Sequence, residues 1–290
     1  MIRDMVVDNI FYPADPDELR PLLQRALHEM AGPPPSARVA VVPFGAFAFT
    51  LPHIMSGLRA LHGSRPRCIF IIAPPTSYLG TVLAVPESDA FATPFGNLPV
   101  AVDAVSELRS RCGGICITDE IAHLRDSSVE SLLPVIHYLW GAVPIVPVLV
   151  GDLDMDALRK VARVLDDICR RYQGAIAGAA NLTGFVEPSE ARERARKVMR
   201  LLLGSSGSEI LPRLVTFEDA PRSLATIALA HTLAGQAARP ELLGRGTFET
   251  DVDGATGRIV FASIAYIGNE EQPNGYGDSS GQSSPPHGSS

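Results

Sequence analysis

The sequence predicts an α/β protein: a single three-layer domain with a mostly parallel sheet and a C-terminal hairpin. Three observations carry that expectation. Short, continuously apolar runs such as RVAVVP (38–43) and RCIFIIA (67–73) have the length and composition of strands buried on both faces. Stretches of helical spacing lie between such runs, so strand and helix alternate as in a doubly wound core. The 290 residues, 46% hydrophobic and 20% charged, are enough chain for one large core.

Taken in order, Asp15, Pro16 and Glu18 supply an N-cap, a first-turn proline and a capping-box glutamate. Leu19, Leu23, Ala26 and Met30 then recur at helical spacing until Gly32 and three prolines stop the helix. The runs at 38–43 and 67–73, with a helix near 51–61, make a βαβ unit. ICIT (115–118), PIVPVLVG (144–151) and GAIAGAA (174–180) read as further strands, separated by helices near 127–140 and 155–172. Helices near 189–203 and 223–238 precede GTFETDVDGATGRIVFASIAYI, a hairpin expected to turn at Asp253 and Gly254. One domain is therefore expected over 1–268. Residues 269–290, NEEQPNGYGDSSGQSSPPHGSS, bury too little apolar surface to offset ordering and are expected to be a disordered tail.

A net charge of -7 with intermixed signs offers no basic stripe, which argues against nucleic acid as a partner. The opening MIRDMVVDNIFYPADPDEL lacks the apolar core of a signal peptide, and no window reaches the roughly 18 apolar residues of a membrane span. A cytoplasmic protein without a membrane partner is expected. Cys68, Cys112, Cys116 and Cys169 show no CxxC pair or disulfide framework, as in a chain with reduced thiols.

In a doubly wound sheet ligands bind beyond the carboxyl ends of the strands. The loops expected there contribute Phe44, Thr76, Ser77, Ser127, Asn181, Thr183 and Gly184. This set offers neutral hydrogen bonds but not the imidazole, thiolate or carboxylate groups that hold transition metals, so no cofactor is expected. Aspartate enters only as Asp126.

FYPADPDEL (11–19), VVP (41–43), IIAPPTS (71–77), DAFATPFGNLPV (89–100), SSVESLLPVIHYL (127–139) and VPIVPVLVG (143–151) occur in one order. That ordered set resembles the MEMO family, the protein B component of the AmmeMemoRadiSam set, whose fold is similar to class III extradiol dioxygenases of the LigB type. The resemblance implies a LigB/MEMO-like sheet and a pocket at its strand ends. It also locates departures. Phe44 stands where the family has the histidine of "PHAG", and Thr76 and Ser77 where it has "SHH". The family's "EHS" becomes Asp126, Ser127 and Ser128, and its "SSDLSHY" becomes 179–185, with Asn181 for aspartate and Gly184 for histidine. The late cysteine-glycine pair falls near Ala220 and Pro221. The resemblance therefore implies a degenerate pocket with no catalytic or metal-binding residue.

Individual residues carry competing readings. Ser127-x-x-Glu130 is a capping box, although Glu130 also matches a family position. His53, His62, His137 and His231 are isolated on helices and read as surface or packed residues, whereas His123 with Asp119, Glu120 and Asp126 offers a relocated metal or acid/base cluster. Ser77 and Ser127 lack a G-x-S-x-G elbow. Three functions follow. The first is a catalytically degenerate binding or assembly subunit, paired with its own copy or with a MEMO-like relative. The second is an enzyme with a relocated site, a metal at His123 or a metal-free centre at Ser77, Ser127 and Asn181. The third is a small-molecule module lined by Phe44, Phe47 and Phe185.

Overall fold

The computed structural model describes residues 1–76, 82–204, 223–235, 237–252 and 255–268. The Asp253 and Gly254 turn, Ser77, Ala220, Pro221 and the expected tail at 269–290 lie outside the described residues. Helix α1 (Pro16–His28) starts at Asp15, whose side chain accepts from the Asp17 N–H at 2.8 Å, and it buries Leu19, Leu23 and Ala26. Strand β2 (Ala37–Val42), helix α2 (Phe47–Gly63) and strand β3 (Cys68–Ala73) form the expected sequence of strand, helix and strand, with β3 buried throughout. Helix α2 begins earlier than its apolar spacing suggests. The Phe47 N–H donates to Phe11 O at 2.8 Å, a tertiary bond that no local capping residue announces.

After β3 come β4 (Leu83–Val85), β5 (Ala90–Thr93) and β6 (Gly96–Pro99), then α3 (Val102–Cys112), β7 (Cys116–Thr118) and the short α4 (Glu120–Leu124). A 3-10 turn at Glu130–Leu132 leads into α5 (Leu133–Trp140), so the helix expected from 127 starts later. Strand β8 (Ile145–Val150), α6 (Met155–Arg171) and β9 (Gly174–Ala179) follow, then α7 (Pro188–Gly204) and α8 (Ser223–Ala234). Strands β10 (Ala238–Val252) and β11 (Ala255–Gly268) form a long antiparallel pair with a bulge between Leu242 and Gly244.

The main sheet has eight strands in the order β10-β11-β2-β9-β3-β8-β4-β7. Its centre, β2-β9-β3-β8, is parallel, and β9 lies between the strands of the first βαβ unit. Strand β11 joins antiparallel to β2, so the hairpin extends the sheet. At the other side β4 runs antiparallel to β8 and carries β7 parallel to itself, which sets the expected strand at 115–118 against the core direction. Strand β1 (Ile2–Arg3) pairs with β5, which in turn pairs with β6, in a separate small sheet. Helices α1, α2 and α5 cover one face, while α6 and α8 cover the other. The architecture is a single three-layer α/β domain, as the apolar runs predict. No helix of the described residues is long and apolar enough to cross a membrane.

Candidate functional site

Strands β2, β3 and β9 are in parallel register, so the segments leaving them, Pro43–Gly45, Pro74–Thr76 and Ala180–Gly184, emerge on one side of the sheet. Phe44 is half-buried and packs against the core. Its carbonyl accepts from Asn181 Nδ2 at 3.3 Å, which ties the β2 and β9 loops together. Asn181 is 7% exposed, and its Oδ1 has no hydrogen-bond partner among the described residues. Thr183 is buried, and its Oγ1 accepts from the Val260 N–H at 2.9 Å, which makes it a structural link to β11. Gly184 is exposed, and a Cβ there would meet nothing within 4 Å.

Asp126 joins the β3 loop to the turn before α5. Its Oδ2 accepts from Thr76 N at 3.1 Å and Thr76 Oγ1 at 3.0 Å, while Oδ1 accepts from Ser128 Oγ and Val129 N, each at 2.8 Å. Thr76 Oγ1 in turn accepts from the Ser127 N–H at 3.2 Å, and Ser128 Oγ lies 2.8 Å from Pro74 O. The capping-box reading of Ser127 and Glu130 therefore fails: the Ser127 N–H is taken by Thr76, and Asp126 caps the turn. Glu130 faces the N-terminal segment instead. It pairs with Arg3, and its Oε1 accepts from Val6 N and Val7 N at 2.9 Å and from Tyr12 O–H at 2.8 Å. Arg3 also donates to the carbonyls of His123 at 2.9 Å and Asp126 at 2.6 Å. Burial, with the nearby Glu130 carboxylate, pushes the Tyr12 hydroxyl pKa far up.

The relocated cluster does not assemble. His123 is fully buried with Nε2 3.2 Å from Ala84 O and Nδ1 without a partner among the described residues, and burial lowers its pKa. Asp119 caps α4 through Ala122 N at 3.0 Å, and Glu120 accepts from Glu87 N and Ser88 N at 2.7 and 3.0 Å. Among the described residues no three of histidine, cysteine, aspartate and glutamate are grouped to hold a metal ion. The three phenylalanines do not converge either. Phe47 is buried against Tyr12 with ring centroids 5.4 Å apart, while the Phe185 ring lies over Gly257 of the hairpin. His231 is buried 3.2 Å from Tyr266 O–H, a packed residue as expected, with its pKa lowered to about 4 by burial.

Residues 3–219 match the family model for Memo-like proteins. The chain belongs to this family. A MEMO1 family protein of Methanopyrus kandleri is 26% identical over 92% of this chain and 99% of its own length. A MEMO1 family protein of Nitrosopumilus maritimus is 23% identical over 92% of this chain and 100% of its own. One from Desulfurococcus amylolyticus is 30% identical over 56% of this chain and 61% of its own. An uncharacterized protein of Escherichia coli K12, known from its crystal structure, shares the fold with a TM-score of 0.55 at 12% identity, over 79% of this chain and 98% of that one. The matched stretch of this Memo-like protein includes Arg3, Tyr12 and Glu130, whose clasp sequence spacing could not reveal because 127 positions separate Arg3 from Glu130.

Proposed function

We propose that this Memo-like protein is a catalytically degenerate member that keeps the family scaffold and acts as a binding or assembly subunit. One observation carries the reading. An aspartate carboxylate offers about four lone-pair positions; on Asp126 the Thr76 N–H and O–H and the Val129 N–H donate to three of them, and Ser128 Oγ, whose single proton is shared with Pro74 O, stands at the fourth. The strand-end acid is thus a structural node. Around it, Phe44 and Gly184 bring no ligand atom in their side chains, Ser127 a neutral hydroxyl, and the Asn181 nitrogen is spent on Phe44. Such a donor set does not fit a transition metal, which needs several imidazole, thiolate or carboxylate ligands. The partner is a second copy or an intact Memo-like relative, in the cytoplasm, a setting that suits four unpaired, buried cysteines. Sedimentation of the protein alone and mixed with an intact relative tests this. A dimer or a mixed complex is expected; a monomer in both samples overturns the assembly role.

The unpartnered Oδ1 of buried Asn181 favours a second reading, a site for a small neutral ligand that donates a hydrogen bond. Phenol and catechol are suitable probes. Binding at 100 times the dissociation constant raises stability by about 2.7 kcal/mol, and Asn181→Leu removes that gain. No shift in the unfolding temperature of the natural protein discards the reading.

A further inference from the structure

Helix α7 crosses the face of the terminal hairpin opposite to α2 and leaves an open groove of about 630 Å³ beside it. Its apolar part includes Met199, Leu203 and Leu242, and the two leucines remain 44% and 39% exposed along it. Its polar part is one-signed: Arg192 and Arg196 from α7, with Arg245 and Arg258 from the hairpin. Acidic residues neutralise several of the other cations nearby. Glu190 pairs with Arg194, Glu193 with Lys197 and Glu249 with Arg258. Among the described residues Arg192, Arg196 and Arg245 have no hydrogen-bond or ion-pair partner. Arg192 and Arg196 are one turn apart on the same helix face, a like-charge spacing that destabilises a helix unless an anion offsets it. In a chain of net charge -7, three unneutralised arginines around an apolar floor are a local reversal of sign.

We propose that the groove between α7 and the terminal hairpin binds a small organic anion, its apolar body on Met199, Leu203 and Leu242 and its carboxylate or phosphate held by Arg192, Arg196 and Arg245. Guanidinium groups suit both head groups because each presents paired N–H donors in a plane. The strand-end pocket takes no part, so this site stands or falls apart from the degenerate-scaffold reading.

The test uses the full chain and anilinonaphthalene sulfonate, whose aromatic body and single anionic group match the groove. Saturable binding is expected, with displacement by octanoate or octyl phosphate but not by octanol; the more effective of the two anions identifies the head group. Arg196→Gln with Arg245→Gln should weaken binding about tenfold or more, as should Leu242→Gln combined with Leu203→Gln. Lys197→Gln with Arg200→Gln removes the same charge from exposed α7 positions outside the groove and should leave affinity within about twofold. Absence of saturable binding overturns the proposal, and so does an equal loss in the two charge-matched variants, which would mark diffuse attraction alone.

Discussion

Arg3 and Glu130 are 1% and 0% exposed and form an ion pair that also ties down the backbone of Val6 and Val7. Removing one partner leaves the other charged group in a site closed to water, and such losses cost about 3–5 kcal/mol. Glu130→Gln and Arg3→Leu should each lower the urea midpoint by the equivalent amount, and the double variant Arg3→Leu, Glu130→Leu should recover part of it. If either single variant unfolds like the natural protein, the clasp is not a stability element. His231 gives a pH prediction. Burial holds its folded pKa at about 4, below the ordinary 6.5, so the unfolded chain takes up the proton first as pH falls. The stability present above pH 6.5 is therefore lost between about 6.5 and 4, by up to about 3 kcal/mol. His231→Gln should flatten that loss in denaturation series at pH 7 and 4.5; an unchanged slope rules the residue out as its source. At this scale the sequence was a partial guide. It placed Phe44, Thr76, Asn181 and Gly184 at strand ends, where the structure has them, but a local pattern suggested the wrong partner for Glu130, because its true partners come from the far N-terminal segment.

Helix α2 lies so close to β2 and β11 that a Cβ at Gly57 would sit 2.3 Å from Val42 Cγ1 and 2.7 Å from Ser263 Oγ. Gly57→Ala should therefore destabilise by about 1–3 kcal/mol through overpacking, although alanine is the better helix former. Gly184→Ala is the contrast. Its Cβ enters open space, and a change below about 1 kcal/mol is expected. Thermal unfolding of the two variants side by side checks both; equal effects would mean that the tight approach of α2 is not what Gly57 serves. Elements with strong periodicity were legible: β2, β3, β8 and β9 are buried apolar runs, and α6 carries an apolar stripe ending in Ile168 and Cys169. Strands β4, β5 and β6 were not, since three or four residues hold too little pattern. The first half of β10, before Gly246, was hidden for another reason. Pro240 and Gly244 are poor strand residues, but among the described residues β10 is an edge strand paired with β11 alone, where proline and a bulge are tolerated.

Over the whole molecule, the alternation of apolar runs and helices fixes a three-layer α/β architecture, and the ordered motifs carry the family. What the sequence could not supply is the pairing across long separations: β9 entering between β2 and β3, and β4 with β7 reversing against the core. The same limit applies to the site. Residue types at the strand ends were readable, whereas their consequence depends on Asp126 being consumed by Thr76, Ser128 and Val129. A scaffold of this kind should remain folded without any metal, because its loops are held by their own hydrogen bonds. The most direct test is elemental analysis of protein purified without chelator and then offered iron(II), copper and zinc, with His123→Ala and the double variant Phe44→His, Ser127→His alongside. The account predicts no stoichiometric metal on the natural protein under any of these conditions. About one metal per chain, abolished by His123→Ala, would contradict it and establish a relocated metal centre.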